Sequence, residues 1–222
     1  MKTAKQISYQ LQLKSSQEKK EIVQRFFKTG IGEYAQDDVF LGVQVPEIRK
    51  IAKENYDISI EETLKLLTSK IHEERLIALY FLINKYKNGN EQIKQNIFKL
   101  YLSNTQHINN WDLVDTSCEH IAGDFLKDKS KEPLFELAQS QNIWEKRLAI
   151  VSTFAFIKQK EYKVTFQIVN ILLSDKNDLI NKACGWMLRE VGKRCSEEIL
   201  VQYLEQNSSK MSRTTLRYAI EK

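Results

Sequence analysis

Apolar residues recur at alternating three- and four-residue intervals along almost the whole chain, the spacing that lines one face of an α-helix. The pattern predicts helices near residues 3–13, 16–28, 46–55, 60–69, 71–87, 91–103, 110–126, 131–139, 142–158, 162–173, 178–192, 196–206 and 209–221. Ser15-Ser16-Gln17-Glu18 and Ser59-Ile60-Glu61-Glu62 read as capping boxes that open two of them. Pro46 suits a first helical turn, where its missing N–H costs nothing. The stretch from Gly30 to Gln44, with Gly30, Gly32, Gly42 and the Asp37-Asp38 pair, is the one long loop expected. No Pro- or Ser-rich linker divides the chain, so a single domain over residues 1–222 is expected.

The helical pattern also repeats. His72-Glu73-Glu74-Arg75-Leu76 aligns with Trp144-Glu145-Lys146-Arg147-Leu148 at an offset of 72 residues. Lys182 follows Arg147 by 35 residues, and Trp111 and Asp112 fall near the midpoint between Arg75 and Arg147. A period of about 36 residues built from paired helices indicates an all-α, curved α-solenoid of HEAT-like repeats. Equivalent helices would then line one surface with Arg75, the Trp111/Asp115 turn, Arg147 and Lys182 in sequence.

Composition narrows the class. Seven Gly and two Pro are too few for a turn-rich β protein. The longest strongly apolar run, Leu76 to Ile83, is far shorter than the roughly 20 residues of a membrane span. The segment Met1-Lys2-Thr3-Ala4-Lys5-Gln6 lacks the apolar core of a signal peptide. Cys118, Cys184 and Cys195 are odd in number and, with His72, His107 and His120, show neither disulfide nor metal-ligand spacing. A reducing, cytoplasmic compartment is expected, with no metal, no cofactor and no membrane. The net charge of +5 permits nucleic-acid binding without demanding it, so the placement of the charges decides.

Four places carry candidate chemistry. On a helix advancing about 100° per residue, Val114, Cys118, Ile121, Ala122, Phe125 and Leu126 form an apolar arc that includes Trp111 and Asp115. A carboxylate in such an arc is desolvated, paired or working. Asp115 is therefore either the partner of a basic residue on the next helix or a functional acid. Arg147 lies in the arc of Leu148, Val151 and Phe154, either paired with Asp115 or available to a phosphate; Trp144 reads as core. In the helix over 178–192, Ile180, Ala183, Cys184, Met187 and Val191 define the core face. Lys182, Trp186, Arg189 and Lys193 cluster on the opposite one. An indole among cations either stacks on a ligand or packs on the next repeat. Arg213 and Arg217 add two cations at helical spacing, usable on a DNA backbone. No phosphate-binding glycine loop, dinucleotide fingerprint or nucleophile–base set is visible. A carboxylate, aromatic walls and cations suit the stabilisation of a cationic transition state on a polyanion.

These residues resemble the AlkD-like family of DNA glycosylases that remove alkylated bases. The resemblance runs through Phe26-Phe27-Lys28-Thr29-Gly30-Ile31-Gly32-Glu33-Tyr34, Phe40-Leu41-Gly42-Val43 and Val45-Pro46-Glu47-Ile48-Arg49-Lys50. It continues through Asn109-Asn110-Trp111-Asp112-Leu113-Val114-Asp115, Trp186-Met187-Leu188-Arg189-Glu190-Val191-Gly192-Lys193 and Arg213-Thr214-Thr215-Leu216-Arg217-Tyr218-Ala219. It implies a curved HEAT-like stack that binds duplex DNA containing alkylated bases on a cationic concave face. It further implies that Trp111 and Trp186 flank the damaged nucleotide, that Asp115 is the catalytic carboxylate, and that Arg147 contacts the DNA backbone. The family acts without flipping the base into a pocket, unlike most glycosylases. Glu145 departs from the resemblance at a position where basic character is expected.

The expected protein is thus a monomeric, cytoplasmic DNA glycosylase for cationic N3- and N7-alkylated purines, associated with the nucleoid when bound to DNA. Catalysis falls to Asp115, Trp111 and Trp186, and DNA binding to Arg147, Lys182, Arg189, Lys193, Arg213 and Arg217. The rival readings are a protein-binding scaffold and a module that binds damaged or branched DNA without excising anything.

Overall fold

A computed structural model describes residues 2–221. The chain runs through α1 (Ala4–Gln12), α2 (Gln17–Phe26), α3 (Val45–Glu54), α4 (Ile60–Leu67), α5 (His72–Asn88), α6 (Glu91–Leu102), α7 (Trp111–Cys118) and α8 (Asp124–Leu126). It continues through α9 (Glu132–Ala138), α10 (Ile143–Ser152), α11 (Phe154–Ile157), α12 (Lys163–Leu172), α13 (Asp178–Arg194), α14 (Glu197–Asn207) and α15 (Arg213–Ile220). Among the described residues the only β pairing is an isolated parallel bridge between Val39 and Ile71. The protein is an all-α helical-repeat structure, and no helix among the described residues is long and apolar enough to cross a membrane.

The chain divides into two compact units between Leu113 and Val114, within α7. In the first, α5 is the central helix, contacting α1, α3, α4 and α6. Its first half, residues 72–79, is buried all round the axis, so that stretch has no solvent face to reveal its period, and only Lys87 and Asn88 at its end are exposed. Ile77, Leu79, Phe81 and Leu82 are buried, and each such side chain contributes about 1.5–3 kcal/mol. In the second unit α10 packs on α9, α12 and α13, and α13 packs closely on α15.

Local chemistry explains most helix ends, and corrects several expectations. Ser16, not Ser15, caps α2 by accepting from Lys19 N, and Ser59 caps α4 by accepting from Glu62 N. Neither capping hydroxyl is part of a reciprocal box. Glu62 instead accepts from Ala4 N at 2.7 Å, whereas Thr3 and Gln6 form the reciprocal box at the start of α1. Helix α2 ends two residues earlier than expected, and Lys28 beyond it takes the left-handed conformation at φ 54°. The helix expected over 142–158 breaks at Thr153, whose Oγ1 donates to Ile150 O at 2.7 Å and tightens the turn. The one expected over 209–221 begins only at Arg213, capped by Ser212 after a 3₁₀ turn over Ser208–Lys210.

The helix expected over 110–126 runs on, but through a π turn at Glu119–Gly123. A Cβ at Gly123 would lie 2.4 Å from Ser152 O and 2.8 Å from Ala155 Cβ, so glycine permits this close helix approach. The loop from Gly30 to Gln44 is ordered by Glu73, whose carboxylate accepts from the backbone N–H groups of Leu41, Gly42 and Val43. Gly42 holds φ 79°, and a Cβ there would meet Ser16 O at 2.3 Å.

Candidate functional site

In the second unit the structure joins Asp115 of α7 to Arg147 of α10. Arg147 Nε donates to Asp115 Oδ1 at 2.8 Å and Nη2 donates to Oδ2 at 2.7 Å, a planar two-point pair. Nη1 donates to Leu179 O at 2.7 Å, tying the start of α13 to the same guanidinium. The arginine side chain is 8 % exposed and the aspartate 20 %, so the carboxylate is the wetter partner. The ion pair offered by the sequence as one alternative for these residues is therefore formed. Three of the five guanidinium N–H groups of Arg147 are spent on these bonds, so in the free protein the side chain serves Asp115 and the start of α13. The expectation for Arg75 is corrected. It is buried and donates to Asp38 Oδ1 and, at 2.9 Å, to Ser69 O, so it does not line a surface.

Breaking the Asp115–Arg147 pair from the basic side should destabilise the chain. Arg147→Met keeps the stem volume but leaves a partly buried carboxylate, and about 2–4 kcal/mol of unfolding free energy should be lost in urea titrations. A loss below about 1 kcal/mol would mean that solvent already satisfies Asp115.

The remaining predicted residues of α13 are spread over its partly exposed side. Trp186 is half-buried and tilted against Phe154, with ring centroids 6.2 Å apart. Lys158 and Arg194 place their cations over the same Phe154 ring. Lys182 pairs with Asp178 at 2.7 Å, a contact that raises its pKa, and Arg189 pairs with Glu221 at 3.0 Å. Lys193, Arg213 and Arg217 are exposed. Trp144 is buried, as expected of a core residue. Glu145 sits in the first turn of α10 and accepts from Ser140 Oγ; an acid there complements the helix dipole.

In the first unit, Trp111 is half-buried at the start of α7. Its ring stacks on Phe27 at 5.2 Å with 20° between planes, meets Phe26 edge-on at 5.7 Å, and donates from Nε1 to Tyr34 Oη at 3.2 Å. Behind it lies a buried ionic cluster that sequence reasoning missed. His72 faces Asp38 Oδ2 through Nδ1 at 3.0 Å and Asp112 Oδ2 through Nε2 at 2.8 Å. Asn110 Nδ2 donates to Asp38 Oδ2 at 3.0 Å. Burial alone would lower the His72 pKa, but Asp112 and Asp38 outweigh it and raise the value to about 9. Burial likewise opposes ionisation of Asp38, yet His72 and Arg75 hold its carboxyl below the usual range. Asp38 lies 34 residues from His72 and Asp112 lies 40, so no local spacing announces the cluster. The one available signal was the Asp37-Asp38 pair, set just before the apolar run Val39-Phe40-Leu41.

The buried thiols offer no nucleophile: burial pushes Cys118 up, and Cys184 up to about 12. Among the described residues, no three or more His, Cys, Asp and Glu side chains are arranged to hold a metal ion.

The protein is an all-α helical-repeat structure in which one helix carries an indole at its start and an arginine-paired carboxylate a turn later. The chain belongs to the DNA alkylation repair enzyme family, whose sequence model matches residues 7–222. A solved structure described as a "Predicted DNA alkylation repair enzyme from Enterococcus faecalis" is similar at 14 % identity and a TM-score of 0.71, covering 94 % of this chain and 96 % of that one. At that identity the likeness establishes the fold. No curated protein matches the sequence.

Proposed function

We propose that the chain is a DNA glycosylase that hydrolyses the N-glycosidic bond of cationic N3- and N7-alkylated purines in duplex DNA. The observation that carries this reading is the Asp115–Arg147 pair. A guanidinium bonded to both oxygens fixes the orientation of the carboxylate while leaving it 20 % exposed. A fixed, ionised carboxylate is the group required beside an oxocarbenium-like sugar, because its charge is in place before the reaction and needs no reorganisation. A purine already carrying positive charge leaves as a neutral base, so no acid is needed. Asp115 would also orient the attacking water. Trp111 and Trp186 would hold the sugar and the cationic base through their π faces. Arg147 acts here through Asp115, as its positioning residue.

A second reading, a module that binds damaged DNA without excision, draws on one observation. Both Asp115 oxygens and three Arg147 nitrogens are engaged, as in a bridge kept only for structure. Incubating the protein with methylated duplex DNA and measuring the bases released separates the two. Release of 3-methyladenine or 7-methylguanine supports the glycosylase, and binding with no release supports the module.

The cations of α13 and α15 would supply affinity. Lys182→Ala, Lys193→Ala and Arg213→Ala should each weaken damaged and undamaged duplex alike, because phosphate contacts carry no sequence information. Each should reduce the slope of log K against log salt by about one unit. Unchanged slopes in all three variants would remove this surface from the DNA interface. Arg189 and Arg217 belong to the same proposed surface, although Arg189 would first have to exchange Glu221 for a phosphate.

A further inference from the structure

The ionic cluster behind Trp111 has a proton count that its geometry dictates. Both ring nitrogens of His72 face carboxylate oxygens at hydrogen-bond distance, one on Asp38 and one on Asp112. A neutral imidazole has a single N–H and can satisfy only one of them. With Arg75 paired to Asp38, two carboxylates meet two cations only when His72 is protonated; otherwise a buried negative charge is left over. The two residues flanking Trp111 are both tied into this cluster. Asn110 donates to Asp38 while its Oδ1 accepts from Trp111 N at 2.8 Å, and Asp112 bonds His72 while its Oδ1 accepts from Leu113 N at 2.9 Å. The His72 ring also lies 5.1 Å from Phe27, the ring on which Trp111 stacks.

We propose that His72 is a positioning residue: as an imidazolium bridging Asp38 and Asp112, it clamps the start of α7 and so fixes the indole of Trp111. This rests on the glycosylase reading insofar as Trp111 serves the lesion site, but the clamp itself is a property of the free protein. The raised His72 pKa agrees with the geometry. Losing the proton releases one of the two carboxylates, and with it one of the ties that flank Trp111.

The charged groups around His72 are Asp38 in the loop, Asp112 on α7, and Arg75, Glu73 and Glu74 on α5 itself. Glu73 is occupied by the backbone of Leu41, Gly42 and Val43. His107 sits in the field of Arg75. Burial, then that charge, lowers its pKa, so it stays neutral throughout the alkaline range. Tyr34 touches Trp111 directly and needs its own control.

Fluorine NMR of the full chain carrying fluorotryptophan reads the clamp, since the sequence has three tryptophans and Trp111→Phe assigns the relevant signal. The Trp111 resonance should shift with a midpoint near the pKa of His72, about 9. The shift should persist in Tyr34→Phe and vanish in His72→Gln. In Asp112→Asn its midpoint should fall by about one unit or more, because a negative neighbour has gone. His72→Gln should also lower the rate of base release about tenfold at unchanged affinity for undamaged duplex, a loss through misplacement. A Trp111 resonance that stays flat from about pH 7 to about pH 10.5 would overturn the proposal, since the imidazolium would then not be coupled to the indole. A shift that survives in His72→Gln would overturn it equally. The full pattern of shifts with no base released at any pH upholds the clamp and sinks the glycosylase reading instead.

Discussion

Asp115→Asn should slow base release by about a hundredfold or more in single turnover, with little change in affinity for undamaged duplex. The substitution keeps the planar shape and removes the charge. In the free protein the amide oxygen can still accept one bond from Arg147, whose Nη1 keeps its bond to Leu179 O. Some stability is lost because the guanidinium then lacks its counter-charge, so thermal unfolding must be measured alongside. A folded variant with near wild-type release would reduce Asp115 to a structural bridge. A variant unfolded at the assay temperature would favour the bridge as well, because the pair would then hold the second unit together. Only a folded and slow enzyme supports the electrostatic role.

The second large effect concerns the charge of the leaving base. The proposed enzyme should release 3-methyladenine and 7-methylguanine, yet leave uracil and hypoxanthine in duplex DNA essentially untouched. The alkylated purines carry their own positive charge, whereas uracil and hypoxanthine must be protonated or comparably stabilised as they depart. The groups near Asp115 are poor sources of that proton. Cys118 lies on the same helix with its pKa raised by burial. His120 lies beyond that helix, in the π turn over Glu119–Gly123. Discrimination would then come from the reactivity of the substrate more than from a fitted pocket. Matched duplexes in a base-release assay test this directly. Efficient excision of uracil or hypoxanthine would sink the mechanism even if the protein proved to be a glycosylase.

Asp115 and His72 show how differently two ion pairs can be written into a sequence. Asp115 was visible because its helix is amphipathic, and an acid inside a long apolar arc is conspicuous. Arg147 was visible as a cation within the apolar arc of Leu148, Val151 and Phe154, which is why their pairing was among the alternatives that spacing alone allowed. His72 begins a stretch, residues 72–79, that is buried on all sides, where no polar face exists for it to violate. Its partner Asp38 lies in a loop without periodicity. Arg75 was misplaced by the same blindness: a repeat predicts which positions are equivalent, but equivalence does not say whether a cation faces solvent or a carboxylate.

What the sequence determined by itself is therefore what depends on neighbours within one or two turns. That covers the all-α class, the repeat of about 36 residues, the core faces of α7 and α13, and the family motif around Trp111 and Asp115. It extends to most helix starts, though not to the exchange of Glu62 from its own cap to Ala4. The tertiary structure decided everything that depends on residues brought together from far along the chain. It chose the ion pair for Arg147 and buried Arg75 on Asp38. It admitted the close approach at Gly123 and assembled the charge cluster around His72. The physical reason is that helical periodicity records only whether a position is apolar. The partner of a buried charge is set by a geometry that local sequence does not encode.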